Sequence, residues 1–260
     1  MTEMGWTITV DPTDPIIATA IHAGHDLRPE IIPWAGLEDS VRLREEDPFT
    51  DRWLPIARNQ IGVLSSRFEV DLNRPRTGAV YLDAEAAWSL SVWTAPLPDE
   101  VINRSLAAYD AFYRDLAEVC DEVAANHPRM VVVDLHSYNH RRGGPDAPVD
   151  DPDANPEINV GTGTVDRAAW DDVIDAFSGS MQEFPFDGGH LDVRENIKFK
   201  GGHMSRWVNE RYPGQGCALA IEVKKMFMDE WSGEPDETVI GAIGDALFAA
   251  TDAVRNVLSS

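Results

Sequence analysis

A chain of 260 residues is long enough to bury a full core, most simply as one domain spanning 1–260. Its net charge of -23 excludes nucleic acid as a partner, because phosphate binding needs clustered Lys and Arg. There is no apolar run long enough to span a bilayer, and Met1 to Trp6 lacks the basic-then-apolar plan of a leader, so no membrane partner and a cytoplasmic location are expected.

The two cysteines, Cys120 and Cys217, lie far apart in apolar contexts and read as buried free thiols in a reducing compartment. Only four of the 22 basic residues are lysine (Lys198, Lys200, Lys224 and Lys225), and an acidic, lysine-poor surface fits a protein that must stay soluble in high salt.

Ile16 to Ile21 predicts a short buried strand that delivers His22 and His25 in a Gly-containing turn. Two histidines three apart can converge on one metal ion, although surface histidines would look the same. Asp47-Pro48 marks a break. A helix is predicted from Thr50 to about Gln60, interrupted early by Pro55, with Asp51 as either its cap or a hard oxygen ligand. Ile61 to Leu64 is a second apolar strand.

Phe68, Val70 and Leu72 then alternate with Arg67, Glu69, Asp71 and Asn73, which places the polar set on one face of an extended segment. An edge strand with a solvated face has the same pattern. Arg67, Asn73 and Arg74, however, form a fork-and-amide set suited to gripping a carboxylate. Asp99 to Ala125 is an amphipathic helix whose aromatics face the core.

Val131 to Ser137 is a β-branched run that ends in Asp134-Leu135-His136-Ser137. It reads as a buried strand of a parallel sheet, and open α/β sheets hold ligands at such C-terminal ends. His136 is therefore a candidate metal ligand or base. Residues 139–157, rich in Asp and Pro, read as a long irregular loop. Ile158 to Thr162 returns to a strand, with helices over Arg167 to Ser178 and Ser180 to Phe184.

Asn196 to Arg206 is basic and Gly-rich within an acidic chain, which suggests an anion-facing loop. Cys217 to Val223 is an apolar strand carrying one carboxylate, Glu222. Such a group is costly unless paired or kept neutral, and that is the environment of a catalytic Glu. A last helix runs from Glu237 to Leu258. Alternating strands and helices predict an α/β fold with a mixed, largely parallel central sheet flanked by helices.

Strand ends thus deliver His22, His25, His136 and Glu222, with Arg67, Asn73 and Arg74 nearby. No Gly-x-Ser-x-Gly elbow, P-loop or Gly-x-Gly-x-x-Gly fingerprint occurs. The set suits one zinc with an open position, a carboxylate that activates water, and a clamp for an acidic small molecule.

The chain resembles the N-formylglutamate amidohydrolases of the zinc carboxypeptidase and aspartoacylase group. The resemblance rests on His22-Ala23-Gly24, Thr50-Asp51, Ser66 to Pro75, Asp134 to Ser137, Phe199 to His203, and Ile221-Glu222 with Met228 to Glu230. It implies a zinc-exopeptidase architecture, zinc ligands at His22 and His136, and Glu222 as general base. It further implies that Arg67 polarises the scissile carbonyl and that Asn73 and Arg74 hold a substrate carboxylate. Lys200, His203 and Arg206 are candidates for a second carboxylate. The aspartoacylase branch has a His-x-x-Glu whose glutamate position is His25 here, and N-formylglutamate amidohydrolases need no ligand there, so His25 and Asp51 compete as third metal ligand. The expected substrate is a small N-acyl amino acid such as N-formylglutamate. Deacylation of another N-acyl amino acid, removal of a C-terminal residue from a peptide, and non-catalytic carboxylate binding are the alternatives.

Overall fold

The computed structural model describes residues 5–260. Met1 to Met4, part of the segment read above for a leader, lies outside the described residues. In chain order the elements are β1 (Trp6–Thr9), β2 (Ile16–Ala20), α1 (Asp39–Glu45), β3 (Asn59–Val63), α2 (Asp99–Asn126), β4 (Met130–Tyr138), β5 (Ile158–Gly161), α3 (Asp171–Glu183), β6 (Pro185–Phe186), β7 (Gly189–His190), β8 (Val193–Glu195), α4 (His203–Arg211), β9 (Gly216–Lys224) and α5 (Glu237–Leu258).

Seven strands form one sheet in the order β1-β3-β2-β4-β9-β5-β8, and β6 pairs with β7 in a small hairpin. The four central strands β3, β2, β4 and β9 are parallel, while β1 and the β5–β8 pair run against them. The sheet is mixed and largely parallel, as the apolar runs predicted.

Period-2 alternation along β4 assigns its two faces. Val131, Val133 and Leu135 pack with Leu219, Ile221 and Val223 of β9 into a core shared with α3 and α5. Met130, Val132 and Ala218 point the other way, into a core shared with α2 and α4. The same alternation carries Asp134, His136 and Glu222 to the α2/α4 side at the C-terminal ends of the parallel strands. In the β4–β9 register His136 and Glu222 are direct partners.

The flanking helices follow from their apolar stripes. In α5, Ile240, Ile243, Leu247, Ala250 and Val254 recur at helical spacing, and the Asp236 side chain caps the first turn by accepting from the Thr238 and Val239 amides. The predicted bounds of α5 match those observed. Cys120 and Cys217 are both buried and free. No helix or strand occurs between Tyr138 and Ile158.

Several expectations change. The stretch from Thr50 is a short 3-10 turn, Thr50–Ile56, because Pro55 lacks an amide and Asn59 already belongs to β3. Asp51 makes no cap there. Residues 167–170 precede a single helix α3, and α4 begins inside the predicted basic loop. The segment 67–73 is turns rather than a strand with a wet face. Glu69 and Asp71 are fully buried because each is ion-paired, Glu69 with Arg28 at 3.0 Å and Asp71 with Arg67 at 2.8 Å. Alternation cannot tell a solvated polar face from one whose charges are matched inside.

Candidate active site

A cavity of about 240 Å³ opens at the C-terminal ends of β4 and β9. Its wall includes His22, Asp47, Arg67, Asn73, His136, Glu222 and Lys225. His22 Nδ1 and His136 Nδ1 lie 3.4 and 2.9 Å from the same oxygen, Asp47 Oδ2, and the two rings are 5.0 Å apart.

The far nitrogen of each ring meets another carboxylate. His22 Nε2 is 2.8 Å from Asp71 Oδ1, and His136 Nε2 is 3.0 Å from Asp134 Oδ2. A carboxylate on Nε2 holds a proton there and turns Nδ1 of each ring toward Asp47, which is how ligating histidines are oriented. His22 Nδ1 is buried and makes no hydrogen bond. The ligand atoms of His22, Asp47 and His136 lie within 4.8 Å of one another. Two imidazole nitrogens and one carboxylate oxygen form a donor set that fits zinc with a position left open.

The structure brings Asp47 to this group and keeps His25 and Asp51 out of it. Both ring nitrogens of His25 are engaged, Nδ1 at 2.5 Å from Glu46 Oε2 and Nε2 at 3.1 Å from Arg42. Asp51 is exposed. The break at Asp47-Pro48 is a pinned turn. The Asp47 amide donates to His22 O (2.9 Å), Thr50 Oγ1 donates to Asp47 O (2.7 Å), and Lys225 Nζ donates to Arg44 O (2.6 Å) and Glu46 O (2.7 Å). His25 and Thr50, two residues that sequence singled out, therefore brace the His22, Asp47, His136 group from behind.

Asp71 is a hub that periodicity assigned to a polar face. It accepts from His22, Arg67, Tyr81 and the Asn73 amide. Burial opposes its ionisation, but Arg67 and His22 outweigh that and hold the carboxyl well below the usual range. Arg67 Nε is buried without a protein partner. Glu222 has the opposite balance. Burial, reinforced by Asp47 and Asp134 and only partly offset by His136, pushes it up to about 8. Lys225, 1% exposed, is pushed down by burial to about 8.

The remaining predicted clamp residues divide. Asn73 lines the cavity, and its side chain accepts from the Met204 amide (3.0 Å). This approach needs Gly202, where a Cβ would sit 2.2 Å from the Asn73 side chain. Gly201 is left-handed (φ 104°), so the double glycine shapes the wall that carries the exposed Lys200. Arg74 is not in the cavity wall; its guanidinium lies over the Tyr81 ring with Nε 3.5 Å from Asp71 Oδ2. His203 is not in the cavity wall. It opens α4, its amide bonds Asn73 O, and its ring stacks edge-on to Tyr113. Arg206 lies further along α4 and faces a separate groove with Thr164, Asn209 and Glu210.

Several wall residues were not singled out from sequence. Lys225 carried a usable signal, since it is a charge just beyond the end of an apolar strand, as did Asp134 behind His136. Trp88 and Arg142, in connecting segments, carried none.

The family model for N-formylglutamate amidohydrolase matches residues 14–228. No curated protein matches the chain. Among solved structures, the chain is similar to an N-formylglutamate amidohydrolase from Ralstonia eutropha JMP134, with a TM-score of 0.76, 14% identity and 98% of each chain covered. It is also similar to gene product Atu2144 from Agrobacterium tumefaciens, with a TM-score of 0.68, 17% identity, and 99% of this chain and 98% of that one covered. The family match spans most of the chain and includes all three members of the His22, Asp47, His136 group. The chain belongs to the N-formylglutamate amidohydrolase family.

Proposed function

We propose that this chain hydrolyses the amide bond of a small N-acyl amino acid, in the first instance N-formylglutamate, in a zinc-dependent reaction that yields formate and glutamate. The observation that carries the reading is the position of Glu222, a carboxylate of raised pKa in the same cavity wall as His22, Asp47 and His136.

Zinc held by these three residues would supply Lewis-acid polarisation of the scissile carbonyl and of the attacking water. Glu222 takes the proton from that water at its carboxylate as the oxygen adds to the formyl carbon. It then returns the proton to the amine nitrogen as the C–N bond breaks. A pKa lifted by burial suits a group that must hold this proton between the two steps. Arg67, with an unpartnered Nε, donates to the oxygen on which charge develops. Asn73 and the Arg74 guanidinium receive one substrate carboxylate, and Lys200 faces the second. Asp71 and Asp134 keep the two histidines in register without touching substrate.

The test is formate release from a panel of N-formyl, N-acetyl and dipeptide substrates by zinc-loaded protein, repeated after chelation and after zinc is restored. N-formylglutamate should be turned over best, with activity lost on chelation and regained with zinc. Hydrolysis of dipeptides alone, or tight glutarate binding with no hydrolysis, would overturn the reading.

A further inference from the structure

Trp88 has no part in the chemistry above, yet it is 47% exposed and lines the cavity beside Arg67 and Asn73. Its backbone is left-handed (φ 53°), and so is that of Ser89 (φ 71°). Two successive side-chain-bearing residues rarely adopt this geometry, and it persists only where the surroundings impose it.

Here the surroundings do impose it. The preceding residue, Ala87, is fully buried in a small cluster with Phe68, Tyr81 and Val92. The Ser89 amide donates to Ala84 O (2.7 Å), and Trp93 Nε1 donates to Tyr81 O (2.6 Å). The loop is anchored on both sides of the indole, and the indole is laid over two cations. Its ring centroid is 4.9 Å from the Arg67 guanidinium carbon and 5.7 Å from that of Arg74. The Tyr81 ring takes Arg74 at 4.7 Å and lies 6.0 Å from Trp88.

A guanidinium offers two faces and an edge of N–H donors. Stacking on an aromatic ring occupies a face and leaves the edge for an oxygen acceptor. Arg67 already gives one edge nitrogen to Asp71 and keeps a buried, unpartnered Nε. We propose that Trp88 is a positioning residue, whose indole fixes the planes of Arg67 and Arg74 so that their N–H edges meet the oxygens of an acidic ligand. The bulky ring also shields that contact from water, which strengthens it. The catalytic half of this inference rests on the function proposed above, whereas carboxylate binding does not.

The experiment compares Trp88→Ala, Trp88→Phe and Trp88→Leu in zinc-loaded protein. Glutarate binding is followed by calorimetry and kcat/KM with N-formylglutamate. The site is exposed, so all three variants should fold with near-normal Tm. Trp88→Ala should weaken glutarate roughly 3- to 20-fold and lower kcat/KM similarly. Trp88→Phe should recover most of the loss and Trp88→Leu little of it, because an aliphatic side chain has no π face. In an Arg67→Lys background Trp88→Ala should cost much less. Leu matching Phe, or unchanged glutarate affinity in Trp88→Ala, would overturn the inference. If N-formylglutamate is not a substrate but the glutarate series holds, the proposed reaction fails and the role of Trp88 stands.

Discussion

Glu222→Gln separates the chemistry of the site from its stability. In the folded, metal-free chain burial lifts Glu222 from its ordinary 4.5 to about 8, so at pH 7 the fold holds a proton that the unfolded chain has released. A raised carboxyl pKa contributes stability that is fully present below 4.5 and is lost as pH rises through 8. The roughly 2.5 units between 4.5 and 7, at about 1.4 kcal/mol each, amount to roughly 3 kcal/mol, trimmed toward about 2 by water in the cavity mouth. Glutamine has the same shape and needs no proton. Metal-free Glu222→Gln should therefore melt about 4–8 °C above the parent at pH 7, and the gain should disappear near pH 4.5. Turnover of the zinc-loaded variant should fall about 10²- to 10⁴-fold, the usual worth of a general base. Calorimetric melts across pH 4.5–8 and formate release provide the readings. A Tm difference that does not change with pH, or turnover within tenfold of the parent, refutes the reasoning.

Two further variants test the supports behind the ligand group. Asp71→Asn keeps the shape of the hub but removes its charge from His22 and Arg67, so zinc affinity, read by competition with a chromogenic chelator, should fall roughly 10- to 100-fold. Unchanged affinity would mean that Asp71 is structural alone. Lys225→Met removes the ammonium that pins the carbonyls of Arg44 and Glu46 just before Asp47, and should cost about 2–4 kcal/mol of stability. Zinc affinity should drop with it, whereas full affinity in a destabilised variant would show that Asp47 does not need this brace.

The central frame was legible because burial on both faces leaves a mark in composition. Val131 to Val133 and Cys217 to Val223 are apolar throughout, and a single Glu or His at such a strand end stands out. The ligand group was legible only where a strand delivers it. His22 and His136 follow directly from β2 and β4, but Asp47 arrives on a turn whose position is set by bonds to His22, Thr50 and Lys225, all distant in sequence except Thr50. His25 had the right residue type and spacing, yet its partner Glu46 is buried and accepts both its ring and the Ser66 hydroxyl. Arg206 had the right charge, but α4 began earlier than the glycines suggested and carried it to another groove. Spacing identifies which residues a strand presents. It does not reveal which of several carboxylates has its charge already matched.

That matching explains why Glu222 is protonated in the metal-free chain. Asp47, Asp71, Asp134 and Glu222 bring four carboxylates to one region, while the buried cations are three, Arg67, Lys225 and a His136 whose proton Asp134 and Asp47 hold against burial. One negative charge is left over, and in a buried site the group with the weakest hold on its charge takes up a proton. Asp47 and Asp71 are held ionised by the histidines, with Arg67 also on Asp71, so the proton goes to Glu222. A divalent cation held by His22, Asp47 and His136 would balance the same excess and displace that proton, leaving Glu222 ionised as the proposed general base must be. The Tm advantage of Glu222→Gln should therefore shrink or reverse once zinc is bound. An advantage of equal size with and without zinc would show that the metal and Glu222 do not share a field.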